Sequence, residues 1–193
     1  MNKNILIFGA GRAGKTTLAN KICQDLNYFP TSTDDLVTMF LRAYPHMGIN
    51  YEDYMGSAAI LAPFLGHYIG VRSRYENRLV VEGYFDFEKI IPVLEKYDMG
   101  NLKEHFLLIG LIYPNQTIDG LVSDIRKCDT EDDWTHSVSD DELREHAAIS
   151  IEYSRNFYEE YKKYDPVIYD VSHDREQVLN RVANDIKNVV YKG

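Results

Sequence analysis

The chain predicts an α/β fold in which a five-stranded parallel sheet carries helices on both faces. Three observations lead there. Short apolar runs alternate with longer stretches of helical period along nearly the whole chain. The runs are apolar throughout instead of every second residue, the pattern of strands buried on both sides. The first of them opens straight into a glycine-rich turn and then an amphipathic helix.

The elements follow in order. Asn4 to Phe8 (NILIF) is the first strand, and a helix runs from Lys15 to about Leu26. Tyr28 to Thr33 reads as the second strand, with Ser32-Thr33-Asp34 supplying good caps for the next helix. From Asp35 to about Asn77 the pattern is helical, with breaks expected at Pro45–Gly48 and near Gly56. Leu79 to Val81 is the third strand, ending at Glu82-Gly83, and a helix covers Asp86 to Tyr97. His105 to Tyr113 is the fourth strand; Pro114 lies just past its end, and a helix extends from there to about Lys127. Cys128 to Ser139 is polar and aperiodic. A long helix from Asp140 to Tyr164, a last strand from Val167 to Val171 and a helix from Asp174 to Val190 complete the chain. No repeat or Pro/Gly/Ser-rich linker divides it, so one domain is expected, with two excursions at 35–77 and 128–139.

Composition narrows the function. The 193 residues carry 30 Asp+Glu against 21 Lys+Arg, a net charge of −9. A nucleic-acid groove needs a positive field, so that partner is not expected. The longest apolar stretches reach about 10 residues, against the ~20 that span a bilayer. The opening residues have no apolar core followed by a small-residue cleavage site, so no membrane partner and a cytoplasmic location are expected. Cys23 and Cys128 are too few for a disulfide framework or a four-cysteine zinc site, and the six histidines show no ligand spacing.

Gly9-Ala10-Gly11-Arg12-Ala13-Gly14-Lys15-Thr16 fits G-x-x-x-x-G-K-[ST] at every fixed position, between a predicted buried strand and a helix. The glycines let backbone N–H groups turn inward around phosphate oxygens, and the helix aims its positive end at them. Lys15 would reach the outer phosphates of ATP and the Thr16 hydroxyl would ligate Mg²⁺, with Thr17 at the innermost phosphate. Glu82 ends an apolar strand beside this loop, where an acidic side chain organises the hydrated Mg²⁺.

Beyond the loop, Ser32-Thr33-Asp34-Asp35-Leu36, Val80-Val81-Glu82-Gly83-Tyr84 and Asp140-Asp141-Glu142 complete a pattern that resembles the nucleoside-monophosphate-kinase-like branch of P-loop kinases, with adenylate, shikimate and gluconate kinases among its members. The resemblance implies strand order 2-3-1-4-5 and a short lid at 128–139. It also implies a helical acceptor-binding segment at 35–77, and ATP with Mg²⁺ as cofactors. On it, Asp34 accepts or orients the acceptor's hydroxyl, and Asp35, Arg42, Glu82 and Gly83 lie at the acceptor. Arg126 is the first choice for the lid cation that steadies the transferring phosphoryl group, with Arg144 and Arg155 in reserve. Trp134 is expected to anchor the lid.

Two departures bear on the acceptor. Where adenylate kinases hold the acceptor phosphate with arginines, this chain has Thr38 and Asp86; Arg42 lies one turn further on, and Arg72, Arg74 and Arg78 are possible replacements. A carboxylate there repels a phosphate. The expected function is therefore transfer of the γ-phosphoryl group of ATP to a small-molecule hydroxyl. The alternatives are a nucleoside monophosphate kinase and a nucleotide-binding regulator with slow hydrolysis. Oligomeric state is not legible.

Overall fold

The computed structural model describes residues 3–75, 78–131 and 133–192. Five parallel strands, β1 (Asn4–Gly9), β2 (Phe29–Ser32), β3 (Leu79–Gly83), β4 (Phe106–Ile112) and β5 (Val167–Asp170), form one sheet in the order β2-β3-β1-β4-β5. The central strand β1 is in register with β3 through Ile7 and Glu82, and with β4 through Ile7 and Ile109. The helices are α1 (Lys15–Leu26), α2 (Thr33–Ala43), α3 (Tyr54–Tyr75), α4 (Phe87–Leu94), α5 (Leu102–His105), α6 (Ile118–Cys128), α7 (Asp140–Tyr161) and α8 (Arg175–Lys192).

The unbroken apolar run of β1 is explained by its two buried faces. Ile5 and Ile7 join a core with α1, α6 and α8, while Leu6 and Phe8 join a second core with α3, α4 and the end of α7. All four are at most 1% exposed, and burial of each such side chain contributes about 1.5–3 kcal/mol. Phe8 anchors the second core, with ring centroids of Phe85, Phe87, Phe157 and Tyr161 within 5.9 Å of its own.

Several element bounds differ from the sequence expectation for local reasons. The helical stretch breaks at Pro45–Met47, a single 3₁₀ turn, and resumes at Tyr54, so Gly56 lies inside the first turn of α3 and interrupts nothing. The amide of Gly56 is taken by the Asp53 side chain, which holds the start of α3. The helix after β4 starts at Ile118, not Pro114, because Thr117 caps it by accepting from the Gly120 amide. His105 closes the short helix α5 and lies outside the strand. The helix after β3 stops at Leu94 and ends in a 3₁₀ turn, Glu95–Tyr97. The aperiodic 128–139 stretch carries one 3₁₀ turn at Trp134–Ser137. Among the described residues, no helix is long and apolar enough to cross a membrane.

All strands being parallel, their carboxyl ends gather at one edge of the sheet. The turns after β1, β2 and β3 meet there.

Candidate active site

The turn after β1 is shaped by backbone contacts before any ligand is considered. Gly9 has φ +133°, and a Cβ on it would sit 1.9 Å from the carbonyl oxygen of Leu111. Only glycine allows that approach. It lets the Ala10 amide donate to Leu111 O at 3.1 Å, locking the loop to β4. Gly14, also at positive φ, caps α1 without any side-chain hydrogen bond. The first amides of α1 therefore have no side-chain cap at their positive end, as an anion site requires.

From outside, two side chains brace the loop. The Tyr113 hydroxyl donates to Gly11 O at 2.5 Å, and the Arg175 guanidinium donates to Arg12 O at 3.1 Å. Arg12 itself has φ +60° and sends its guanidinium to Asp129 at 2.8 Å and Asp133 at 2.5 Å, in the loop after α6. Sequence reasoning counted the whole loop from Gly9 to Thr17, Arg12 included, among the phosphate-binding residues and gave no individual role to Tyr113, Asp129 or Asp133. No local pattern points to these partners, because each bond joins residues more than 100 positions apart.

Within the loop, Lys15 Nζ donates to Ala10 O at 2.8 Å and Gly9 O at 3.4 Å. Burial pulls its pKa down from the usual lysine value, and the carboxylates of Glu82 and Asp34 push it back. Thr16 donates its hydroxyl to Glu82 Oε1 at 3.0 Å. Glu82 is only 3% exposed at the end of β3. Burial raises its pKa above the ordinary glutamate value, against the charge of Lys15 and hydrogen bonds from Ser32 and Thr16. A hydroxyl and a buried carboxylate side by side are hard oxygen donors, the set Mg²⁺ uses when phosphates and water complete its shell. The residues present fit that ion. Among the described residues there is no cluster of three or more His, Cys, Asp or Glu that would hold a metal without phosphate.

The turns after β2 and β3 face each other through a second glycine. Gly83 has φ +136°, and a Cβ there would lie 1.8 Å from Thr33 Oγ1. The space goes instead to a hydrogen bond from the Tyr84 amide to Thr33 Oγ1 at 3.2 Å. Ser32 caps α2 by accepting from the Asp34 amide. The Asp34 carboxylate is exposed and accepts from the Tyr54 hydroxyl, which also meets Thr33 Oγ1 at 2.9 Å. Thr38 pairs with Tyr51 at 2.6 Å and Thr31 with Tyr68 at 2.9 Å. Lys15, Thr16, Asp34, Glu82 and Gly83 are thus brought to one edge; Asp35 is exposed in the same helical turn as Asp34.

The other basic candidates are placed differently. Arg126 makes hydrogen bonds to Asp129, Asp140 and the carbonyls of Thr135 and Val138, all in or beside the 129–139 loop. Arg144 pairs with Asp119 and Asp141, and Arg155 lies 3.3 Å from Pro114 O. Trp134 rests its ring edge-on against His146 of α7 and stays half exposed. Arg42 is exposed near the end of α2. Arg72 stacks on Phe29 and Arg74 on Tyr97. Their neighbour Ser73 bonds Asn4, the first residue of β1, so they lie at the end of the sheet away from the loop. A 22-residue α3 is about 33 Å long, which is why these arginines cannot fold over the site.

With this geometry in place, comparison with known proteins is informative. A shikimate kinase from Bacteroides thetaiotaomicron superposes with a TM-score of 0.58 over 96% of this chain and 98% of its own, at 15% identity. A gluconokinase from Sinorhizobium meliloti 1021 gives 0.54 over 99% and 95%, at 13% identity. The fold is that of the P-loop kinases. Over 85 residues, 42% of the chain, the sequence is 27% identical to the adenylate kinase of Pelagibacter ubique (strain HTCC1062), covering 40% of that protein. The chain therefore matches less than half the length of this curated relative. No family model matches. In that fold, the turn after β1 carries the G-x-x-x-x-G-K-T sequence, and α2, α3 and the end of β3 form the edge beside it.

Proposed function

We propose that the protein is an ATP- and Mg²⁺-dependent phosphotransferase that passes the γ-phosphoryl group to a hydroxyl of a small molecule. The reading rests above all on one observation: the phosphate loop presents Lys15 and Thr16 to a buried Glu82, with Asp34 at the facing edge. The loop amides of residues 9–17 would hold the triphosphate. Lys15 would leave the carbonyls of Gly9 and Ala10 for the β- and γ-phosphates, exchanging neutral acceptors for charged ones. Thr16 and Glu82 would hold Mg²⁺, which when bound neutralises phosphate charge. Asp34 would accept the acceptor's proton or fix its oxygen in line.

The acceptor edge supports a hydroxyl over a phosphate. Asp86 there caps α4 and pairs with Lys89, and no arginine approaches Asp34 among the described hydrogen bonds and ion pairs. A phosphate dianion needs such charge; an alcohol does not. The kinases named for shikimate and gluconate, both alcohols, share the fold. Residues 35–77 would form the acceptor side, with Asp35 and Gly83 lining it and Arg42 at its rim. The 129–139 loop would act as a short lid, and Arg126 becomes the phosphoryl cation only by releasing the partners it holds here. The setting proposed is cytoplasmic.

The adenylate kinase match favours a second reading, a nucleoside monophosphate acceptor held by Arg42. A coupled ADP-release assay with MgATP decides between them, run alone, with each nucleoside monophosphate and with a panel of alcohols, with Lys15→Ala as blank. Turnover with an alcohol, abolished by Asp34→Asn, supports the first reading. Turnover dependent on a monophosphate refutes it in favour of the second. Tight ATP binding without acceptor-dependent turnover points to a regulator.

A further inference from the structure

The hydroxyl of Tyr54 stands between two residues of the acceptor edge, and the directions of its hydrogen bonds can be worked out. A phenol carries one proton. Tyr54 gives it to Oδ1 of Asp34, because a carboxylate has none to offer. The 2.9 Å contact between Tyr54 and Thr33 must then run from the threonine hydroxyl to the phenol oxygen. Thr33 Oγ1 in turn accepts from the Tyr84 amide at 3.2 Å. The result is a one-way chain: Tyr84 N–H to Thr33, Thr33 to Tyr54, Tyr54 to Asp34. It begins on the turn after β3, crosses the start of α2, passes through the first residue of α3 and returns to α2. Every donor is used once.

Its surroundings keep the chain in this state. Thr33 is 4% exposed, and Gly83 leaves the space beside its hydroxyl empty of any Cβ. Burial, with the Asp34 charge beside it, raises the Tyr54 pKa well above the ordinary phenol value, so Tyr54 keeps the proton that it gives to Asp34 while its oxygen accepts from Thr33. The neighbouring pair behaves differently. Thr38 donates to the backbone carbonyl of Asp34 at 2.8 Å, so Tyr51 donates to Thr38 and never reaches the carboxylate.

We propose that Tyr54 is the positioning residue of the acceptor base: by binding Oδ1 of Asp34 it fixes the carboxylate's rotamer and leaves Oδ2 for the acceptor hydroxyl. A free Asp side chain at a helix start samples several rotamers, and only a fixed one holds the oxygen in line for transfer. The chain also makes the position of Asp34 depend on α3, the helix that walls the acceptor edge. This inference rests on the phosphotransfer reading, since it gives Tyr54 a task in that reaction.

Two measurements test it, the first independent of turnover. In protein labelled with ¹³C at tyrosine Cζ, the Tyr54 resonance is identified by its loss in Tyr54→Phe. It should move in Asp34→Ala and stay in place in Tyr51→Phe; a resonance indifferent to Asp34→Ala overturns the hydrogen bond and the proposal with it. In the second, Tyr54→Phe should lower kcat about tenfold, the worth of one charge-assisted hydrogen bond, with the KM for the active alcohol within about twofold. An unchanged kcat, or a change confined to KM, overturns the positioning role. A panel with no active alcohol counts against the phosphotransfer reading alone, because the resonance still decides whether Tyr54 holds Asp34.

Discussion

Asp129 is the residue on which the 129–139 loop hangs, and its removal should be felt well beyond the loop. Its side chain is 4% exposed and accepts from Arg12 at 2.8 Å, from Arg126 at 3.3 Å and from the hydroxyl of Thr135. Asp129→Ala removes the charge-assisted bond to Arg12, worth about 1.5–3 kcal/mol. It also strands the Thr135 hydroxyl, which is 0% exposed, at a cost of about 1–3 kcal/mol. The Arg126 contact is long and is left out. Arg12 is 26% exposed and regains water, which offsets part of the loss, so a net destabilisation of about 3 kcal/mol is expected. For a chain of this size that lowers Tm by roughly 6–12 °C. The assay is built in, because Trp134, the only tryptophan, sits in this loop. Its emission should change at lower urea than the far-UV circular dichroism, as the loop leaves before the sheet unfolds. A Tm within about 2 °C of the parent, with both probes still coincident, would refute the reasoning.

Other expectations follow from the same geometry. Gly83→Ala forces a Cβ to 1.8 Å from Thr33 Oγ1 at φ +136°, and should cost about 1–3 kcal/mol, measured as urea stability. Lys15→Ala should lower turnover by about a hundredfold or more in the coupled assay, through loss of the phosphate cation. The Arg12 guanidinium and Thr130 hold the Asp133 carboxyl at a pKa of about 2, below its ordinary value of 3.8. A lowered carboxyl pKa stabilises above the unfolded value and loses that contribution as pH falls through the folded one. Trp134 emission should accordingly stay constant down to about pH 4 and change between pH 4 and 2. In Asp133→Asn that acid step should be absent.

The sheet was legible because its signals are local. β1 and β4 are apolar runs with no polar residue between their ends except the opening Asn4, and the G-x-x-x-x-G-K-T turn fixes where β1 stops and α1 begins. Lys15, Thr16 and Glu82 come together because β1 and β3 are neighbours, so strand order alone brings the loop beside the end of β3. Helix starts were harder. Pro114 looked like a helix opening, but the side chain that caps α6 belongs to Thr117, and Gly56 looked like a break although Asp53 holds the amide beneath it.

The arginines show where sequence reading stops. Their positions along the chain are open to inspection, but a guanidinium reaches several ångströms and chooses among acids that the fold assembles. Arg126 was the first choice for the lid cation by its place before the acidic, aperiodic segment; the acids of that segment hold it here, since Asp129 and Asp140 close around it beside the 3₁₀ turn. Arg12 looked committed to phosphate because it lies within the loop, yet its side chain points to Asp129 and Asp133. The two residues are joined through one carboxylate. A triphosphate that draws Arg12 inward must therefore compete with Asp129, and any release of Asp129 also frees one partner of Arg126. If the turn after β1 binds a nucleotide as proposed, that binding and the disposition of the 129–139 loop would be linked through Asp129, a residue that no motif marks.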